Sequence, residues 1–161
     1  MRRIHSVLGV VASLLVASAL AAGGGGDVES AASADPQYTE AVAAIKAQQY
    51  TKAIPLLDAY VARAGSRDAD AQNWLGYAHR KAGNLPAAFT HYERALALNP
   101  KHRGVHEYMG EAYLMANNLP QAEAHLKALD GLCFFSCEEY RELKASIDSY
   151  KARRASLGSA K

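Results

Sequence analysis

The sequence predicts an all-α protein, a small solenoid of about three helical hairpins closed by a C-terminal capping helix. Two observations carry that expectation. A 34-residue stretch beginning near Ala69 is written again from Arg103: Gly76 maps to Gly110, Ala78 to Ala112, Asn84-Leu85-Pro86 to Asn118-Leu119-Pro120, Ala88 to Ala122 and His91 to His125. From Asp35 onward, apolar residues also recur at three- and four-residue spacing, the period of an amphipathic helix. A fixed period of this length marks a supersecondary unit that cannot bury its apolar face alone and stacks against its copies.

The N-terminal region reads differently. Arg2 and Arg3 precede a mostly apolar run from Val7 to Leu20 that closes on small residues at Ala17-Ser18-Ala19 and Ala19-Leu20-Ala21. Residues 1–22 are therefore expected to be a secretory signal peptide cleaved near Ala21. An uncleaved membrane anchor is the rival reading, although the run is short for about 30 Å of hydrocarbon. No Cys follows the run to carry a lipid. Residues 23–34, mostly Gly, Ala and Ser, have the composition of a flexible linker. Their Gly run is not a phosphate loop, because no Lys-Ser or Lys-Thr follows it.

Charge narrows the partner class. The chain has 18 basic and 16 acidic residues, and removing Arg2 and Arg3 with the leader leaves 16 of each. A chain this close to neutrality lacks the electrostatic footprint of a nucleic-acid or anionic-membrane binder. After signal cleavage, no remaining stretch is apolar enough to span a membrane.

The domain is expected over residues 35–154, with repeats at about 35–68, 69–102 and 103–136. The first copy is the weakest: Tyr38, Ala41, Val42 and Ile45 mark one helix, and Tyr50, Ala53, Ile54 and Leu57 the next. Ala53 lies 35 residues before Ala88, so this copy carries one extra residue. In the second copy, Trp74, Leu75, Ala78 and Ala82 form a stripe, Gly83-Asn84 stops the helix, and Pro86 suits the first turn of its successor. Ala88, Tyr92, Ala95 and Leu96 face inward until Asn99-Pro100. The third copy repeats this with Tyr108, Met109, Ala112 and Tyr113, then Asn117-Asn118, Pro120, Ala122, Leu126 and Leu129. Small residues at Gly76, Ala88, Gly110 and Ala122 allow the two helices of a hairpin to approach closely. Gly costs a helix about 1 kcal/mol relative to Ala, so its presence there implies a packing reason.

Ser136 followed by Glu139 reads as a capping box, with Phe135 and Tyr140 as its hydrophobic staple. The capping helix is thus expected over 137–154, with Tyr140, Leu143, Ile147 and Tyr150 covering the end of the third repeat. Residues 155–161 read as a disordered tail.

Leu75-Gly76, Ala88, Tyr92, Ala95 and Pro100, with Met109-Gly110, Tyr113 and Ala122, resemble the tetratricopeptide repeat. His79 departs from the Tyr favoured there, and no Pro closes the third copy after Leu129. The stretch from His102 to Tyr150, including Leu-Cys-Phe-Phe-Ser-Cys-Glu-Glu-Tyr, also resembles a group of small exported proteobacterial repeat proteins. The resemblance implies a concave groove lined by first helices, with Asn73, Tyr77, Arg80 and Lys81 in the second copy and Glu107, Glu111, Leu114 and Met115 in the third. Tyr77, Leu114 and Met115 suit a peptide or partner helix, and Arg80 with Lys81 suits a carboxylate.

Cys133 and Cys137 are the only cysteines. Export, an even count and short separation favour a structural disulfide. Two readings stay open beside it: a redox pair, since a helix N-terminus favours the thiolate, and metal binding with His125 or His102. His102 and His106 read as a solvated pair, and His91 and His125 as repeat-equivalent packing positions. No nucleophile elbow, Ser-His-Asp order or paired-carboxylate context appears. The expectation is a non-enzymatic, cofactor-free protein-interaction module of the bacterial periplasm or exterior. A thiol- or metal-handling accessory factor is the alternative.

Overall fold

The computed structural model describes residues 35–63 and 67–159, and the expected leader and linker lie outside them. Seven helices and no strand occur among the described residues: α1 (Pro36–Lys46), α2 (Tyr50–Arg63), α3 (Ala69–Lys81), α4 (Leu85–Leu98), α5 (Arg103–Met115), α6 (Leu119–Leu132) and α7 (Glu138–Ser159). Successive helices pair as hairpins, α1 with α2, α3 with α4 and α5 with α6, and each hairpin packs on the next.

Helix starts are set by side-chain caps. Asp35 accepts from the N–H of Gln37 at 2.8 Å and of Tyr38 at 3.2 Å, with Pro36 at the first helical position. Asp68 caps α3 through Ala71 at 3.0 Å and also accepts from the Tyr60 hydroxyl at 2.7 Å, tying α2 to the start of α3. Asn84 and Asn118 cap α4 and α6 through equivalent 3.3 Å bonds, each followed by its Pro. Such caps satisfy donors that no helical carbonyl can reach, for about 1 kcal/mol each.

The hairpin turns share one backbone solution. Gln48, Gly83 and Asn117 adopt φ of 58°, 84° and 58°. The N–H groups of Gln49, Asn84 and Asn118 then close onto the carbonyls of Ala44, His79 and Tyr113, which is the Schellman arrangement. The turn of the first copy precedes that of the second by 35 residues, matching the extra residue read between Ala53 and Ala88.

Three buried clusters run along the stack. Ala41, Ala44, Ile45, Leu57 and Leu75 join α1 to α3; Ala88, Tyr92, Val105 and Met109 join α4 to α5; Leu114, Leu129, Leu143, Ile147 and Tyr150 join the last hairpin to α7. Burying Leu143 and Ile147 contributes about 1.5–3 kcal/mol each toward holding α7 in place.

The two repeat-equivalent glycines accommodate different neighbours. A Cβ at Gly76 would lie 2.4 Å from Cε1 of Tyr92, across its own hairpin. At Gly110 it would lie 2.6 Å from Cδ2 of Leu143 on α7. The expectation of close approach inside each hairpin thus describes Gly76, whereas Gly110 makes room for the capping helix. The position 34 residues after Tyr92 holds the shorter Leu126, packed against the buried cluster that contains Leu143.

Other local expectations are revised. Ala82 is the exposed C-cap of α3 and not part of its buried stripe. Ser136 has φ of 20°, away from the extended backbone a capping residue needs, and its carbonyl accepts from Arg141 Nη1 at 2.9 Å. The Arg141 N–H bonds the Cys137 carbonyl at 3.1 Å, so Cys137 holds the capping position and α7 begins one residue later than expected. No staple forms, because Phe135 is 84% exposed and stacks edge-on with Phe134. The helix also continues to Ser159 instead of ending at Arg154. Its apolar stripe stops at Tyr150, yet no helix breaker precedes Gly158.

Candidate functional site

The inner faces of α3 and α5, flanked by α7, carry the predicted groove residues, and their roles divide. Arg80 is buried: its guanidinium pairs with Glu111 at 2.7 Å and lies over the rings of Tyr77 and Tyr108, 5.2 and 5.5 Å from their centroids. It acts as an internal strut, its charge offset by Glu111. Lys81 is exposed, with its ammonium 5.5 Å from the centre of the Tyr77 ring. Tyr77 is the hub, with Tyr50, Trp74 and Tyr108 at ring separations of 6.0, 5.8 and 4.8 Å.

Glu111, Leu114 and Met115 gather with Arg80 at one end of this face. There α7 contributes Ser146, Ser149 and Arg153 to an open cavity of about 420 Å³. Ser146 Oγ donates to Glu111 at 3.2 Å, and the Tyr150 hydroxyl donates to Asn117 at 3.4 Å. Leu114 is buried against α7, whereas Met115 remains half exposed.

Asn73 and Glu107 gather at the other end, in a second cavity of about 360 Å³ between α3, α5 and the first turns of α7. Both are buried, at 6% and 5% exposure. Trp74 and Tyr108 form aromatic walls, and Glu138, Glu139 and Glu142 complete the rim. Burial, followed by hydrogen bonding to Glu142, pushes the Glu107 carboxyl up to about 9, so it is protonated at neutral pH. Arg103 approaches only Glu139, at 3.5 Å.

Asn73 and Glu107 are legible in the sequence as groove positions, but their neighbours are not. Trp74 and Tyr108 are repeat-equivalent and read as part of an apolar stripe, yet both are only partly buried. The acidic residues of α7 sit on its first two turns, away from its apolar stripe, and only the docking angle of α7 brings them to Glu107.

The histidines are built into the fold. His102 caps α5, its Nδ1 accepting from the Val105 N–H at 3.3 Å while Nε2 donates to Asp70 at 2.8 Å. His106 meets His125 at 3.0 Å, so His102 and His106 are not the solvated pair expected from spacing. His91 bonds Gln72 at 2.8 Å and stacks on His79. Burial, reinforced by a neighbouring imidazole, pulls His91 and His125 down to about 4. Cys133 and Cys137 are paired, with Cα atoms 5.5 Å apart, inside the range a disulfide spans. Among the described residues, no three His, Cys, Asp or Glu side chains converge to hold a metal ion, and no helix is long and apolar enough to cross a membrane.

Stacked hairpins with a Gly-aromatic lock, Schellman turns and an aromatic inner face define a helical-repeat scaffold. Tetratricopeptide repeat models match residues 38–103 and 79–147, and the chain belongs to that family. No curated protein matches it. Tetratricopeptide repeats are generally protein-interaction modules.

Proposed function

We propose that this protein binds a peptide segment or helix of a partner protein along the inner faces of α3 and α5, with α7 as one wall. One observation carries this reading. Tyr77, Trp74, Tyr108 and Met115 keep accessible apolar surface on a face whose charged struts, Arg80 and Glu111, are paired with each other. Aromatic surface held on rigid helices binds at low entropic cost, which is the usual make-up of an interaction hot spot.

The test uses photo-crosslinkers at Met115 on this face and at exposed Thr90 on α4, in native cells. A partner recovered from Met115 and absent from Thr90 is then purified and titrated against the Tyr77→Ala and Met115→Glu variants. At least a tenfold loss of affinity is expected, and unchanged affinity in both variants rejects the face.

We further propose that the protein acts in the bacterial periplasm or exterior, with residues 1–22 removed and Cys133–Cys137 maintained as a structural disulfide. The Arg2-Arg3 leader and the pairing of the two cysteines support this. Intact-mass measurement of the exported protein checks both at once. A full-length mass, or two thiols titratable without reductant, removes the corresponding claim.

A further inference from the structure

We propose that the cavity between α3, α5 and the first turns of α7 receives the ammonium or guanidinium group of a basic side chain from the partner protein. This rests on the reading of the inner face as a protein-binding surface, and it gives that partner a chemistry.

The first observation is an orphaned acceptor. Asn73 is 94% buried by its 6% exposure, it lines the cavity, and its Oδ1 has no hydrogen-bond partner. A buried carbonyl oxygen without a donor has lost its water without replacement, and a ligand N–H aimed at it restores the missing hydrogen bond. The second observation is the surrounding charge. Glu107, Glu138, Glu139 and Glu142 all border the cavity, against one guanidinium, Arg103, which approaches Glu139. The third is the wall chemistry: Trp74 and Tyr108 line the cavity, and their rings are of the kind that attract organic cations.

Together these select a donor-rich organic cation over a metal ion. Among the described residues, no three carboxylates or imidazoles converge closely enough for coordination. A guanidinium or ammonium instead donates hydrogen bonds to Asn73 and Glu142 separately while lying against an aromatic wall.

A proton balance follows. Glu107 holds its proton in the free protein, and an incoming cation favours its release to solvent. Glu107 is faced by Glu111 and Tyr108 on α5 and by Glu139 and Glu142 on α7, with Glu138 on the same rim, while the nearby cations Arg103 and Arg80 pair with Glu139 and Glu111. Cation affinity therefore rises with pH between neutrality and about 9, the range over which Glu107 gives up its proton.

Trp74 is the chain's sole tryptophan and reports from the cavity wall, so its fluorescence is the readout, with the Asn73 side-chain amide followed by NMR. The probes are a blocked alanine–leucine heptapeptide with a central arginine, the same peptide with citrulline in its place, and n-propylguanidinium alone. We expect the arginine peptide to bind about tenfold more tightly than the citrulline peptide and to shift both reporters. Glu142→Gln, on an exposed turn of α7, should abolish that difference without altering the fold. Saturation by n-propylguanidinium with equal strength would identify free organic cations as the ligand and overturn the partner side chain. Equal binding of the arginine and citrulline peptides would overturn the cation pocket while leaving the binding face standing. Silence of both reporters to all three probes at millimolar concentration would also overturn it, and the crosslinking experiment judges the face independently.

Discussion

Gly76→Ala tests the geometry on which the second repeat is built. The new Cβ would meet Cε1, Cδ1 and Cζ of Tyr92 at 2.4, 2.5 and 2.9 Å, and Tyr92 has no exposed surface through which to retreat. Overpacking a rigid core costs about 3 kcal/mol at the upper end of its usual range. Replacing a mid-helix Gly by Ala returns about 1 kcal/mol of helix propensity. The net expectation is a loss of about 2 kcal/mol, lowering the melting temperature by about 6–10 °C for a domain of this size. Thermal unfolding followed by circular dichroism, with urea titration followed by Trp74 fluorescence, measures it. Tyr92→Leu copies the residue at the equivalent position of the third repeat, Leu126, and opens the space the methyl needs. The double variant should therefore be more stable than the sum of the single changes predicts, by at least about 1 kcal/mol. A melting temperature for Gly76→Ala equal to that of the unmodified protein, or strict additivity in the double variant, would refute the close approach.

Glu111→Gln removes the charge that neutralises buried Arg80 and should destabilise by about 2–3 kcal/mol, less than for a fully enclosed pair because Glu111 is partly exposed; urea unfolding measures it. Gln48→Gly relieves a left-handed residue at the first hairpin turn and should stabilise by about 0.5–1 kcal/mol, with Gly83→Ala moving the melting temperature in the opposite direction. Stability should peak near pH 6.5 in urea titrations. Below that, His91 and His125 take up protons readily in the unfolded chain but only near pH 4 when folded, so stability falls as the solution is acidified. Above it, Glu107 remains protonated up to about 9 when folded but is already ionised when unfolded, so stability falls as pH rises, and Glu107→Gln should flatten that alkaline limb.

The architecture was legible because its signals are local. Asn84 and Asn118 before Pro-containing first turns, and Gly83 and Asn117 at helix ends, act within a few residues of themselves, so pattern alone locates them. The groove residues were legible as positions but not as roles. Arg80 reads as an exposed cation, and only the fold reveals Glu111 at 2.7 Å with two tyrosine rings around it. The start of α7 was misread because Ser136 and Glu139 satisfy a capping pattern that the backbone at Ser136 cannot adopt. A pairing of Cys133 with Cys137 gathers the intervening residues into a tight loop, which displaces Phe134 and Phe135 into solvent.

The divergence between copies connects the fold to the cavity. In the second repeat, the space above Gly76 is taken by Tyr92 from the same hairpin, so nothing else can enter. In the third, the equivalent residue is the shorter Leu126, and the nearest side chain to Gly110 is Leu143 from α7. Leu143 follows Glu142 directly and Glu139 by four residues, so the contact that seats α7 also fixes where its acidic turns lie relative to Glu107. Among the core positions at which the two copies differ, the change from Tyr92 to Leu126 thus accompanies the docking of the capping helix, whose first turns form one side of the acidic cavity. Restoring the aromatic with Leu126→Tyr should push Leu143 off Gly110, lower the melting temperature, and weaken binding of the arginine peptide without changing a single cavity residue. If peptide affinity survives in a variant whose α7 is demonstrably displaced by NMR, the cavity does not depend on that contact and the coupling is wrong.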